Sequence, residues 1–329
     1  MQYTELGNQT LTVSTYALGC WSFAGGQVWG DQDEKLSIAT VDAALDAGIN
    51  FFDSAEGYGA GESERVLGKA LVGKRDKAII ATKVSANHLS APALIAACEG
   101  SLRNLQTDYI DLYLVHWPNW EVPLAETVGA LEQLKRAGKI REIGVCNFGV
   151  QDLSEMLTHY PIVTNQLPYN LLWRVIESEI LPVCLAHQVG LMCYSPLAQG
   201  LLTGRYANAD EVPAGLARTR HYAGTRPMAA HGEAGAEAEV FAALAAIKQI
   251  AAEIGQPMAA VALAWVRQQP GVATILIGAR SPQELQLNLP ALDLQLTPDV
   301  RQRLNHVTEP VKAKLGNNAD MWAAPSRMR

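Results

Sequence analysis

The feature that most restricts this chain is an alternation that recurs eight times from Tyr16 onward. A short apolar run is followed by a stretch with apolar residues on one helical face, and then the next apolar run begins. The runs are Tyr16–Leu18, Ile49–Phe52, Ala78–Lys83, Tyr109–Val115, Ile140–Val145, Ile162–Asn165, Leu191–Tyr194 and Thr274–Ile277. Between them, spacings of three and four predict helices at about 34–48, 62–72, 90–105, 124–137, 150–157, 176–188 and 259–268. Ser281-Pro282 opens the eighth helix, with Ser as N-cap and Pro at the first position. Strands that are apolar throughout belong to a parallel sheet covered by helices. Eight such units predict an α/β fold of the (β/α)8 or TIM-barrel type, a little longer than the usual ~250 residues.

The extra length has three places to go. Residues 2–13 alternate around Gly7-Asn8 and predict an N-terminal β-hairpin. Residues 198–256 form an insertion between the seventh strand and its helix. Its part 205–236 reads as a long loop, either solvated or a lid over the barrel mouth, and a helix resumes at Val240. A further helix is expected at about 298–307. No linker or composition break divides the chain, so residues 1–329 are expected to form a single domain.

Three successive runs end in ionisable groups. Ile49–Phe52 runs into Asp53 and, past a glycine, Tyr58; the run from Ala78 ends at Lys83; Tyr109–Val115 runs into His116. Each has an ordinary reading alone: a turn-capping carboxylate, a solvated lysine, a structural histidine, a packed tyrosine. The barrel, however, carries its functional groups at the C-terminal ends of its strands, so all four belong to one mouth. A phenol with a pKa near 10 is a poor acid near neutrality. A neighbouring ammonium lowers that pKa, and a carboxylate keeps the ammonium charged. Such a set can protonate a developing alkoxide, with His116 orienting the carbonyl.

Asp53, Tyr58, Lys83 and His116, in this order at strand ends, resemble the catalytic tetrad of the aldo-keto reductases. Gly-Val-Cys-Asn-Phe at 144–148, Asn165-Gln166, Tyr-Ser-Pro-Leu at 194–197 and Gly-Ala-Arg-Ser-Pro at 278–282 extend the resemblance over about residues 2–308. The chain is similar to the potassium-channel β-subunit-like and general aldehyde or sugar reductase branches. The resemblance implies a nicotinamide dinucleotide stretched across the mouth, and no GxGxxG follows a strand here. It implies that Asn147 and Gln166 hold the carboxamide, beside Cys146 where relatives often have Ser. Tyr194 would stack on the nicotinamide, with Gly19 and Trp21 close by. Ser195, Leu197, Gln199, Gly200 and Arg205 would line the pyrophosphate, and Gly278, Arg280 and Asn288 the adenosine end. Arg280 suits the 2′-phosphate of NADPH. Glu284, where relatives often have Gln, would repel that phosphate or hold a ribose hydroxyl, so NADH is also possible.

The implied reaction is NAD(P)H-dependent reduction of an aldehyde or ketone, sugar-like or bulky, with Tyr58 as general acid. Trp21, Trp29, Trp117 and Trp120 follow the first and fourth strands; of these, Trp21, Trp117 and Trp120 are the expected pocket walls. Trp265 lies on a helix face and is expected in the core. The same site would serve a sugar or alcohol dehydrogenase. A channel-β-subunit-like regulatory protein and a Schiff-base lyase using Lys83 are the rival readings.

Charge and composition remove other classes. A net charge of −7 argues against a nucleic-acid surface. No apolar run approaches the ~18 residues of a membrane span. The N-terminal residues lack a basic segment followed by an apolar one. Cys20, Cys98, Cys146, Cys184 and Cys193 are odd in number without CxxC spacing, which predicts reduced thiols and a cytoplasmic location. No metal ligand set and no oligomeric state is assigned.

Overall fold

The computed structural model describes residues 1–7 and 11–329. Among the described residues there are ten strands: β1 (Tyr3–Leu6), β2 (Leu11–Ser14), β3 (Tyr16–Gly19), β4 (Phe51–Asp53), β5 (Ile79–Val84), β6 (Ile110–Val115), β7 (Ile140–Cys146), β8 (Thr164–Pro168), β9 (Gly190–Tyr194) and β10 (Val272–Gly278). The last eight close into a barrel in the order β10-β3-β4-β5-β6-β7-β8-β9, every neighbouring pair parallel. The helices are α1 (Gly26–Trp29), α2 (Glu34–Asp46), α3 (Glu62–Ala70), α4 (Ala91–Leu105), α5 (Leu124–Arg136), α6 (Val150–His159), α7 (Ile180–Ala186), α8 (Glu237–Glu253), α9 (Met258–Arg267), α10 (Pro282–Asn288) and α11 (Pro298–Leu315). The (β/α)8 reading therefore holds.

Strand periodicity sorts the core into two layers. Side chains alternate across a strand. Ala17, Phe51, Ala81, Leu112, Leu114, Met192 and Leu276 pack together inside the barrel. Their neighbours Leu18, Phe52, Ile80, Tyr113, Cys193 and Ile277 face the surrounding helices. The hairpin β1–β2 is antiparallel and adds Leu6, Leu11 and Val13 to the interior layer. It thus plugs the end of the barrel where the strands begin. Its expected turn at Gly7-Asn8 runs into Asn8, outside the described residues.

Several boundaries differ from the sequence reading. The run Ile49–Phe52 becomes a strand only at Phe51. Gly48, at φ 82°, ends α2, and Asn50 is used by the hairpin: its Oδ1 accepts from Ser14 N at 2.7 Å and its Nδ2 donates to Thr12 O at 3.1 Å. The helix expected at 176–188 is cut to Ile180–Ala186. Pro182 has no N–H and its ring clashes with the carbonyl four residues back, and Glu179 leaves helical geometry at φ −135°. The helix expected at 298–307 continues to Leu315. Its buried stripe of Val300, Leu304, Thr308, Val311 and Leu315 is broken in sequence by a threonine and by Pro310.

The stretch 205–236 is only partly solvated, and several of its side chains are pinned into the fold. Arg220 is buried; it pairs with Glu233 at 2.6 Å and donates to Leu315 O and Asn318 O. Arg226 pairs with Glu237 at 2.7 Å and Asp210 at 3.1 Å. His221 is buried between Thr219 Oγ1, at 2.9 Å, and Leu172 O, at 3.1 Å. Trp265 is fully buried, as expected, with its indole N–H on Asn305 Oδ1. All five cysteines are buried and unpaired. No described helix is long and apolar enough to cross a membrane.

Candidate active site

The interior side of each strand is filled by small and aliphatic side chains until the last inward position, and there the chemistry begins. Two residues beyond Phe51 is Asp53, two beyond Ala81 is Lys83, and two beyond Leu114 is His116. The same step leads from Gly144 to Cys146, from Met192 to Tyr194, from Ala17 to Gly19 and from Leu276 to Gly278. Gln166 precedes the outward Leu167 and completes the layer. Period-two geometry alone gathers these residues at the C-terminal mouth of the barrel.

Lys83 is fully buried and uses all three of its donors. It pairs with Asp53 Oδ2 at 2.8 Å, donates to Ser54 O at 2.7 Å and reaches the Tyr58 hydroxyl at 3.3 Å. Burial is the largest single effect and opposes charge on this lysine, but Asp53 together with Tyr58 and Cys146 outweighs it and holds the ammonium above its ordinary range. A lysine so held is a poor nucleophile, which disfavours the Schiff-base reading. The network continues beyond the pair. Gln166 Nε2 donates to Asp53 Oδ1 at 2.8 Å, Cys146 Sγ lies 3.6 Å from Gln166 Oε1, and Asn147 Nδ2 donates to Cys146 Sγ at 3.1 Å and to His116 O at 3.1 Å. Tyr194 OH then donates to Asn147 Oδ1 at 2.9 Å. Asn165, beside Gln166, points elsewhere and pins the backbone of Phe148.

The net tuning of Tyr58 differs from the sequence expectation. Burial pushes its pKa up to about 12; the pull of Lys83 in the lowering direction is weaker. The phenol is therefore fully protonated near neutrality and holds a proton to give. His116 is pushed down to about 3 by burial, Lys83 and Arg327, and is neutral. Its ring meets Tyr58 edge-on, with centroids 5.8 Å apart.

The histidines have a further consequence. His221, lowered to about 4 by burial, donates from Nε2 to Leu172 O and accepts from Thr219 at Nδ1, so the fold fixes its neutral form. Between the ordinary 6.5 and these lowered values, the unfolded chain binds protons that the folded chain refuses. Stability must fall as pH drops through that window. The melting temperature should decline from near pH 6.5, above the range in which most carboxylates titrate. A melting series taken from neutral pH downward checks this, and a flat profile to pH ~4.5 would mean that neither imidazole is held neutral.

Aromatic rings wall the mouth. Trp21 stacks on Tyr58, with centroids 5.6 Å apart, and Trp29 meets Trp21 edge-on at 5.4 Å. Trp117 is covered by the Arg327 guanidinium at 3.7 Å. Trp120 does not join the tetrad. It is 50% exposed, its N–H goes to Asp152 Oδ1, and Arg329 lies over its ring.

The residues implied for the coenzyme fall along one side of the mouth. After β9 the chain turns sharply: Ser195 at φ 51°, Ala198 at 47°, Gln199 at 54° and Gly200 at 94° are all left-handed. Leu197 O closes the turn by accepting from Gly200 N. Gln199 Oε1 is buried there without a partner among the described residues. Arg205 is exposed, with its guanidinium over Tyr206. Gly19 and Gly278 are register partners at the ends of β3 and β10, leaving that rim free of side chains. Next to it a cleft of about 540 Å³ is lined by Asp31, Gln32, Asp33, Arg280 and Glu284. Arg280 donates to Gln32 Oε1 and Asp31 O. Glu284 donates its N–H to Ser281 Oγ at 3.2 Å, by which Ser281 caps α10, and its carboxylate accepts from Arg280 N at 2.8 Å, just ahead of the helix. Asn288 is at the far end of α10, bonded to Glu284 O.

The sequence reading missed residues 316–329. Asp320 is buried and gathers this segment, accepting from Trp322 N, Ala323 N and both sides of the Arg327 fork. The segment returns to the mouth, where the Trp322 N–H lies 3.3 Å from Tyr194 OH. The only signal in the sequence was a tryptophan and two arginines in an otherwise featureless stretch.

Comparison with known proteins agrees with this geometry. The model of the aldo/keto reductase family matches residues 16–309. The chain is similar to the aldo-keto reductase YhdN of Bacillus subtilis, 35% identical, with 94% of each chain covered. It is 32% identical to a protein of Escherichia coli named NADH-specific methylglyoxal reductase, covering 90% of this chain and 95% of that one. A solved aldo/keto reductase from Klebsiella pneumoniae, in complex with NADP and acetate, superposes with a TM-score of 0.75 at 31% identity, covering 94% of this chain and 95% of the other.

Proposed function

Because the chain belongs to the aldo/keto reductase family, we propose that it reduces an aldehyde or ketone to the alcohol with a nicotinamide dinucleotide, Tyr58 giving the proton. The observation that carries this reading is the arrangement of Tyr58, Lys83 and Asp53: a protonated phenol in reach of a buried ammonium that is itself held by a carboxylate.

The residues present fit the coenzyme. Gln199 offers an unpartnered buried oxygen, the Gly19–Gly278 rim has no side chains in the way, and the Arg280 cleft is open. Asn147 and Gln166 would hold the carboxamide, Trp21 and Tyr194 would flank the ring, and the turn from Ser195 through Leu197 and Gly200 to Arg205 would meet the pyrophosphate. Gly278, Arg280 and Asn288 would take the adenosine end. When bound, the coenzyme supplies a hydride. The protein supplies the rest. Tyr58 donates its proton to the carbonyl oxygen, and Lys83 donates to the phenolate left behind. Asp53 keeps Lys83 charged. Neutral His116 donates a ring N–H to the same oxygen, which orients the carbonyl. Trp21 and Trp117 wall a pocket suited to sugar-like or bulky carbonyls.

The test is consumption of reduced coenzyme with a panel of aldehydes and ketones, after coenzyme binding has been measured by tryptophan fluorescence quenching. Binding of neither NADPH nor NADH would defeat the proposal.

Both coenzymes are proposed to bind, NADPH the better. The solved relative holds NADP, while another relative is named for NADH. Arg280 is the cation of the cleft, but Asp31, Asp33 and Glu284 stand against it. Glu284→Gln keeps an acceptor for Arg280 N and removes one charge. It should tighten NADPH about fivefold, in line with the worth of one exposed charge contact, and leave NADH within twofold. Parallel titrations decide this. Equal gains for both coenzymes would place Glu284 away from the 2′-phosphate.

A further inference from the structure

We propose that Arg218 anchors an anionic group of the substrate, so that the preferred carbonyl compounds carry a carboxylate or a phosphate. The proposal rests on the carbonyl-reductase reading and names its substrate class.

The arginines of this loop and of the C-terminal segment are not equivalent. Arg220 is paired with Glu233, Arg226 with Glu237 and Asp210, and Arg327 with Asp320. Arg218 has no carboxylate partner among the described residues. Its one hydrogen bond runs from Nε to Gly215 O at 2.9 Å, and both terminal nitrogens are left over. It is nonetheless half-buried, and burial alone shifts its pKa downward. Taking a guanidinium partly out of water with no counter-ion is costly, and the neighbouring arginines show that this fold supplies counter-ions where it needs them.

Its position relates it to the chemistry. The guanidinium lies 5.8 Å from the Trp21 ring and 4.7 Å from the Trp322 ring. Trp21 stacks on Tyr58, and the Trp322 N–H meets Tyr194 OH. Arg218 therefore bridges the two indoles that touch the two tyrosines of the mouth. A carbonyl at the Tyr58 hydroxyl places the rest of a short substrate beside Trp21, toward Arg218. The free terminal nitrogens form a planar fork that takes two oxygens of a carboxylate or phosphate. Arg205, on the turn after β9, and Arg280, in the cleft beside β10, are the guanidiniums assigned to the coenzyme, so Arg218 is left for the substrate.

The rival role is packing, in which Arg218 only holds two tryptophans together. Matched substrates separate the two. Succinic semialdehyde is compared with butanal, and glycolaldehyde phosphate with glycolaldehyde, at saturating NADPH. Wild type is expected to favour the anionic member of at least one pair, and the pair that responds tells carboxylate from phosphate. Arg218→Gln should raise KM for that anionic member about 30-fold, the size of a lost charge-assisted fork, and Arg218→Lys should recover part of it. No anionic preference in wild type, or equal losses on charged and neutral members, overturns the anchor. A second readout does not need turnover: quenching of tryptophan fluorescence by 4-hydroxybutyrate and by glycerol 3-phosphate should be saturable in wild type and weakened in Arg218→Gln. Wild type that reduces neutral aldehydes but binds neither anion overturns the anchor alone. Failure to reduce any aldehyde sinks the reductase reading, and anion binding still decides the role of Arg218.

Discussion

Tyr58→Phe is expected to give a folded protein that binds coenzyme normally and turns over about a thousandfold more slowly, in the range set by loss of a positioned general acid. The structure separates the two effects. The phenol hydroxyl has one hydrogen-bond partner among the described residues, Lys83 at 3.3 Å, and its ring stacks on Trp21. A phenylalanine keeps the stack. Lys83 keeps Asp53 and Ser54 O. Only the hydroxyl and its proton are removed, so the loss should fall on kcat and leave the coenzyme dissociation constant within twofold. Wild type should show no alkaline loss of the acid near neutrality, since the phenol's pKa is about 12 in the free protein. Steady-state rates with any reducible aldehyde, together with a fluorescence titration, test this. A variant within tenfold of wild type would remove Tyr58 as the acid.

Lys83→Met should produce the largest loss of stability for a change of similar volume. It leaves the carboxylate of Asp53 buried with Gln166 Nε2 as its one remaining side-chain partner and strips Ser54 O of its donor. Removing one partner of a buried pair costs about 3–5 kcal/mol. Most of that is the penalty of the stranded charge, not the worth of the bond. The double variant Lys83→Met with Asp53→Asn should therefore be more stable than Lys83→Met alone, since the amide can still accept from Gln166. It should remain inactive, because nothing then supports the phenolate. Urea denaturation of the two single variants and the double supplies the comparison. Simple addition of the single losses would contradict a stranded-charge origin and assign the effect to packing.

Much of this was legible because a strand has period two. Phe51 and Asp53, Ala81 and Lys83, or Leu114 and His116 carry in their spacing both the interior layer and the groups that end it. The shifted strand starts were not legible, because Asn50 serves a hairpin 36 residues back, and no local pattern reports a partner so far away. The length of α11 was hidden by Thr308 and Pro310, which interrupt an apolar stripe the fold nevertheless buries. The state of the arginines was the least legible. In sequence Arg218, Arg220 and Arg226 look alike; what separates them is the placement of Glu233 and Glu237, a property of the folded loop. Residues 316–329 carry no periodicity at all, and their partners Tyr194, Trp117 and Asp152 lie more than a hundred residues earlier in the chain.

The hairpin that plugs the barrel makes the interior a blind alley. Leu6, Leu11 and Val13 seal the floor, so no through-traffic is possible. In the proposed reaction, coenzyme, substrate and product would share one doorway, beside Trp21, Trp117 and Trp322. Whatever lies deepest has to arrive first and depart last. On that reading the plugged floor imposes a queue: one entrance serves both arrival and departure.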